Sequence, residues 1–176
     1  MKRAVLAVLL AVPLLSGCGV ETRHAPGCRA WERLGLIAQS VPSASYLPCI
    51  ATTPPGWQSS GLTVSDSGTT FSLLSDRNQG RAVAVALRAR CSGAGATPIP
   101  PRTPGGRSLL RLRSIEPHYA GTMFDVFPGG CVTYRFDFDR DQHIALMAEL
   151  EEAVGFVSRN ALRLELHRRL GVELGP

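Results

Sequence analysis

Asp137, Asp139, Asp141 and His143 stand at alternate positions near the C-terminus. Alternating carboxylates beside a histidine could hold a hard cation or exchange a proton. The D-x-D-x-D spacing matches the start of a calcium loop. Gln142 then occupies the position where such a loop turns on glycine, and Ala148 the position of its bidentate glutamate. The run reads better as a strand end entering a helix, with Asp139 or Asp141 as its cap. A hydrolase would need a nucleophile beside a base, and the chain has no G-x-S-x-G elbow. His24 lies in a polar N-terminal stretch and His167 in an arginine-rich helix. His118, between Pro117 and Tyr119, is the one histidine placed to act as a base. No catalytic residue, metal site or cofactor is assigned, and the chain reads as non-enzymatic.

The arginines carry a second possibility. Arg88, Arg90, Arg111, Arg113 and Arg135 alternate with apolar residues in strand-like segments. If those strands are neighbours, several guanidinium groups converge on one sheet face, where they would grip phosphate bidentately. A phosphate-bearing lipid head group or a polyanionic wall polymer is the ligand class expected. Lys2 is the only lysine, so codon bias in a GC-rich genome, rather than selection for anion binding, is the plainer account of the wealth of arginine. The net charge of +5 falls to +3 once Lys2 and Arg3 are removed, too mild to argue for nucleic acid.

Those two residues begin an export signal. Lys2 and Arg3 form a basic start, and residues 4–15 are an apolar run too short to span a bilayer. Leu15-Ser16-Gly17-Cys18 follows and resembles the lipobox of bacterial lipoproteins. The resemblance implies diacylglycerol on the Cys18 sulfur, cleavage before it and N-acylation, palmitate being the expected chain class. Two or more acyl chains make such attachment stable. Loss of the first 17 residues leaves 159 of the 176, enough for one domain with a core.

Five cysteines is an odd number for an exported chain. Assigning Cys18 to lipid leaves Cys28, Cys49, Cys91 and Cys131, expected as two disulfides in an oxidising compartment. Three pairings are possible. Cys28–Cys49 with Cys91–Cys131 is favoured, because each joins segments that the hydrophobic pattern makes neighbours.

Residues 18–27 read as a tether and 28–176 as one α+β domain. Trp31, Leu34, Ile37, Ala38 and Val41 recur at helical spacing, predicting a helix over 29–40 ended by Pro42. Residues 43–57 read as irregular because of Pro48, Pro54, Pro55 and Gly56. Alternation predicts strands near 62–64, 71–73, 81–91, 109–115, 122–127 and 131–138. In 81–91, Val83, Val85 and Leu87 face one way and Ala82, Ala84 and Ala86 the other. This is a central strand whose alanines would let a helix pack closely. Residues 92–107, rich in Gly and Pro, read as a mobile loop. Pro128-Gly129 makes a tight hairpin. Two C-terminal helices follow, one carrying Ile144, Met147, Leu150 and Val154. The other is capped by Ser158 and ended by Gly171. The expected fold is a single α+β domain, with a mainly antiparallel sheet of about five to six strands, an N-terminal helix and two C-terminal helices.

Leu47-Pro48-Cys49-Ile50, Pro55-Gly56-Trp57, Ser75-Asp76-Arg77 and Phe127-Pro128-Gly129-Gly130-Cys131-Val132-Thr133-Tyr134-Arg135-Phe136 resemble exported actinobacterial proteins of unassigned function. The Pro-Gly-Trp before a strand is also similar to small actinobacterial lipoproteins with a PsbP-like α/β sandwich. Neither resemblance carries catalytic residues. Together these features predict a lipid-anchored module on the outer face of the cell membrane, engaged in binding or assembly. Its partner would be an envelope protein, an anionic polymer or a lipid. A carrier of an apolar ligand and an envelope hydrolase are the alternative expectations.

Overall fold

The computed structural model describes residues 20–22 and 24–175. The signal segment and Cys18 lie outside the described residues. The order of elements is β1 (Val20–Thr22), α1 (Trp31–Ser40), β2 (Tyr46–Ile50), β3 (Trp57–Ser65), β4 (Gly68–Ser75) and β5 (Ala82–Arg88). Then come β6 (Thr97–Ile99), β7 (Arg107–Ser114), β8 (His118–Phe127), β9 (Gly130–Asp139), α2 (His143–Ala153), β10 (Val154–Ser158) and α3 (Arg159–Leu170). Eight strands form one antiparallel sheet in the order β1-β3-β4-β5-β9-β8-β7-β6, and β2 pairs with β10 in a second, two-stranded sheet. The α+β class, the N-terminal helix and the two C-terminal helices are as expected.

Period-two alternation decides the layers. Val83, Val85 and Leu87 of β5, and Val132, Tyr134, Phe136 and Phe138 of β9, turn toward the helices and are buried. Leu34 and Ile37 of α1, Leu146 and Leu150 of α2, and Leu162 of α3 complete the core from the other side. Each such side chain contributes about 1.5–3 kcal/mol by burial.

Several expectations change. Ala82, Ala84 and Ala86 do not receive a helix, because every helix lies on the Val83 face; the alanines floor an open sheet surface. Residues 43–57 are not all irregular. β2 pairs with β10 from Tyr46 to Ile50, and Pro48 is tolerated because the other side of β2 is bridged only at Ile50, to Gly27. Val154 is not helical, since α2 stops at Ala153 and the β-branched and aromatic Val154, Phe156 and Val157 continue as strand. The loop expected over 92–107 holds β6, which extends the sheet by pairing Thr97–Ile99 with Leu110, Leu109 and Ser108. The tether expected over 18–27 is already sheet at Val20, which pairs with Val64. Neither Asp139 nor Asp141 caps α2. A 3-10 turn at Arg140–Gln142 precedes the helix, and Asp139 makes no capping hydrogen bond. Ser158 does cap α3, its hydroxyl accepting from the Ala161 amide, and Gly171 ends it in the left-handed region.

Two disulfides hold the ends of the framework. Cys28–Cys49 ties the segment before α1 to β2, and Cys91–Cys131 ties the chain after β5 to β9. The β8–β9 hairpin turns on Pro128-Gly129, with Phe127 opposite Gly130. Gly129 has φ +74°, and an added Cβ would overlap the Ser43 carbonyl. The loop after α1 lies directly on this tip: the Ser43 hydroxyl donates to the Gly129 carbonyl at 2.6 Å and the Ser45 amide to the Pro128 carbonyl at 3.0 Å.

Arg102 reaches from the chain after β6 into the space between the layers. It pairs at 3.1 Å with Asp125, which is fully buried on β8. Its second terminal nitrogen donates to the carbonyls of Glu151 and Val154, joining the pair to the α2–β10 junction.

Gly129→Ala is expected to cost more than Gly95→Ala in urea denaturation. Gly95 (φ +71°) has open space around it, so its alanine variant meets only the left-handed backbone cost, about 1–2 kcal/mol; Gly129 adds the overlap with Ser43. Equal costs would show that the hairpin tip is not held by that loop. Asp125→Ala should destabilise the fold by about 3–5 kcal/mol, because it strands a half-buried guanidinium. The double variant Arg102→Met/Asp125→Leu should regain most of that loss in the same measurement.

Candidate functional site

The outer face of the large sheet is set by the same register that fills the core. Ala84 lies opposite Arg135, Arg135 opposite Thr122, and Thr122 opposite Arg111. At about 4.8 Å between strands, Arg135 and Arg111 are roughly 10 Å apart at their backbones, with Thr122 between them. A groove of about 530 Å³ runs here, floored by Ala82, Ala84, Gly121 and Thr122 and walled by Arg111, Arg113 and Arg135. Gly121 is required, since a Cβ there would overlap the Arg111 carbonyl and meet the Phe136 ring at 3.0 Å. A second groove of about 450 Å³ adjoins it, lined by Arg88, Thr70, Ser72, Ala86 and Thr133. Ala84 and Arg135 belong to both, so the two form one trough.

The structure therefore brings Arg88, Arg111, Arg113 and Arg135 to one face, while Arg90 follows the end of β5 and lines neither groove. Arg113 is committed to Asp137 at 3.3 Å. Arg111 lies over the Phe124 ring at 5.2 Å and donates to the Ala94 carbonyl at 3.2 Å. Arg88 donates only to the Leu87 carbonyl. Among the described residues no carboxylate lies within ion-pair distance of Arg88, Arg111 or Arg135. Unneutralised guanidinium groups over a floor of alanine and threonine supply positive charge, bidentate donors and hydroxyl groups to an incoming anion.

The aspartates of the D-x-D-x-D run separate. Asp137 and Asp139 close the far end of the trough in a cluster with Arg81, Arg113 and His118. His118 Nδ1 stands 3.3 Å from Asp139, across the β8–β9 ladder. Asp141 lies beyond, on the rim of an open cavity with Gln79, Glu116, Pro117, Asp139, Arg140 and Gln142. No serine, threonine or cysteine lines that cavity.

Sequence reasoning missed Arg102 and Asp125. Arg102 falls in a Gly/Pro stretch without periodicity, so nothing local marks it. Asp125 did leave a signal: a carboxylate between Phe124 and Val126 in an apolar strand calls for a buried partner. Beside this pair the Tyr134 hydroxyl is buried without a hydrogen-bond partner, and the Arg102 guanidinium lies 5.3 Å over its ring. Burial, reinforced by the Asp125 carboxylate, raises the Tyr134 phenol well above its ordinary value. Burial raises Tyr119 as well; its ring stacks on Phe136.

No protein-family model, curated protein or solved structure matches the chain.

The tyrosine shift has a defined sign. A phenol whose pKa is higher in the folded state leaves stability intact below the unfolded value near pH 10 and removes it as pH rises above that. Denaturant titrations between about pH 9 and 11 should therefore show a smaller alkaline loss in Tyr134→Phe than in the parent chain. An identical loss would mean that Tyr134 does not titrate against the fold.

Proposed function

We propose that this chain is an exported, lipid-anchored, non-enzymatic module whose open sheet face binds an anionic component of the cell envelope. The observation that carries the reading is the trough itself. Among the described residues Arg88, Arg111 and Arg135 stand without carboxylate partners over a small-residue floor, on the sheet face that the helices leave uncovered. Two disulfides suit an oxidising compartment outside the cytoplasm. Among the described residues no helix is long and apolar enough to cross a membrane; the lipobox-like stretch ending at Cys18 supports attachment through a covalent lipid. The interior supports a surface ligand over an enclosed one. Leu34, Ile37, Phe71, Val85 and Tyr134 fill the space between sheet and helices, where an apolar cargo would sit.

The ligand class follows from the donors. Two arginines about 10 Å apart at their backbones suit successive phosphates or carboxylates better than one small anion. Two measurements test the reading. Radiolabelled palmitate should enter the native chain and not Cys18→Ser. Arg111→Gln/Arg135→Gln should weaken binding to isolated anionic envelope fractions by about tenfold or more, with binding in both chains falling as salt rises. Unchanged binding by the double variant would sink the trough as the site.

A further inference from the structure

We infer that the end of the sheet from which the chain leads back to Cys18 is a basic seat for an anionic bilayer surface, adjoining the trough at Arg88. The inference rests on the lipid-anchor reading for its geometry. Val20 is paired with Val64, and Val64 with Thr69, at the β3–β4 turn. Two Cα–Cα steps separate Cys18 from Val20, so an acylated Cys18 holds this end of β1 within about 8 Å of the residue that enters the lipid. The register identifies what else lies at that end. The next row across the sheet runs through Arg88, Cys131, Val126 and Arg107.

This row is basic. Arg107 is exposed, and Arg90, also exposed, is held there because its neighbour Cys91 is bonded to Cys131. Arg88 lies against Gly68 of the β3–β4 turn, whose added Cβ would meet the Arg88 guanidinium at 2.6 Å. Asp66 is exposed in the same turn, and Glu21 follows Val20 on β1. The nearest buried carboxylate, Asp125, is already matched by Arg102. Arg88, Arg90 and Arg107 therefore outnumber Asp66 and Glu21 at the end that the anchor brings to the head groups, and anionic lipid is its complement. With this row on the membrane the strands stand up from it. Arg135, four residues along β9 from Cys131, is then roughly 13 Å higher, which leaves the trough open to a ligand above the bilayer.

The test uses the chain carrying Cys18→Ser, so that no acyl chain contributes, in co-sedimentation with vesicles of phosphatidylcholine alone or mixed with phosphatidylglycerol. Binding should favour the phosphatidylglycerol vesicles, fall as salt rises, and drop at least about tenfold in Arg88→Gln/Arg90→Gln/Arg107→Gln. The control Arg33→Gln/Arg168→Gln/Arg169→Gln removes the same charge from the helical layer at the opposite end and should stay within about twofold. Equal affinity for both vesicles, or equal losses in the two triple variants, would overturn the seat. Preferential loss in Arg111→Gln/Arg135→Gln would also overturn it and assign the lipid to the trough. Palmitate labelling of the native chain reads the anchor independently, so a failed seat and a failed anchor give different results.

Discussion

A carboxylate with no access to water sits at the junction of every layer. Asp125 accepts from the Ser108 hydroxyl at 2.5 Å and from Arg102 at 3.1 Å. Isolated, such a charge would cost several kcal/mol to bury, so Arg102 must be in place for the fold to close. The guanidinium in turn lies over the Tyr134 and Phe156 rings and caps carbonyls where α2 becomes β10. One pair thus connects β7, β8, β9, the chain after β6, α2 and the small sheet. It also explains why a Gly/Pro-rich segment runs along the sheet edge instead of standing free.

Three further locks share this style, in which loops are fastened by polar groups to carbonyls. Arg159 donates to the carbonyls of Ala38, Val41 and Ala44, satisfying the end of α1, which has no glycine to turn on. The Pro128-Gly129 tip receives Ser43 and Ser45. Gly56, before Trp57, accepts from the Asp76 amide, while the Trp57 indole and Arg77 both donate to Glu149. The stretches 47–50, 55–57, 75–77 and 127–136 fall at these places: β2 with Cys49, the Gly56–Asp76 contact, and the β8–β9 hairpin. They describe how the scaffold closes, while Thr133 and Arg135 among them face the trough, and among the described residues no carboxylate pairs with Arg135.

The division of the sheet into two unlike faces is the functional consequence. Helices and the small sheet take up one face completely. The other keeps alanine, glycine and threonine under arginines, with the charged pairs Arg81–Asp139 and Arg113–Asp137 at one end and bare guanidinium groups toward the other. Charge is therefore balanced by ion pairs at the Asp137–Asp139 end of this face and less so toward the β3–β4 turn, which would orient the molecule relative to a negatively charged surface.

Much of this was legible in the residues. Periodicity placed α1, α3 and the central strands, and the spacing of Ser158 and Gly171 bounded α3, because these signals act within a few residues. The odd cysteine count with the lipobox-like stretch predicted two disulfides, and the neighbouring segments favoured the pairing observed. Alternation also put Arg88, Arg111, Arg113 and Arg135 on one side of their strands. It could not say which side the helices would cover, since Ala82, Ala84 and Ala86 suit a close-packed helix and an open groove equally. Nor could it show β2 pairing with β10 across more than a hundred residues, or Arg102 meeting Asp125, because these depend on distant segments arriving together. Local physics determined the elements and the covalent frame, and only the tertiary structure decided which arginines stand together and which remain without a counter-charge.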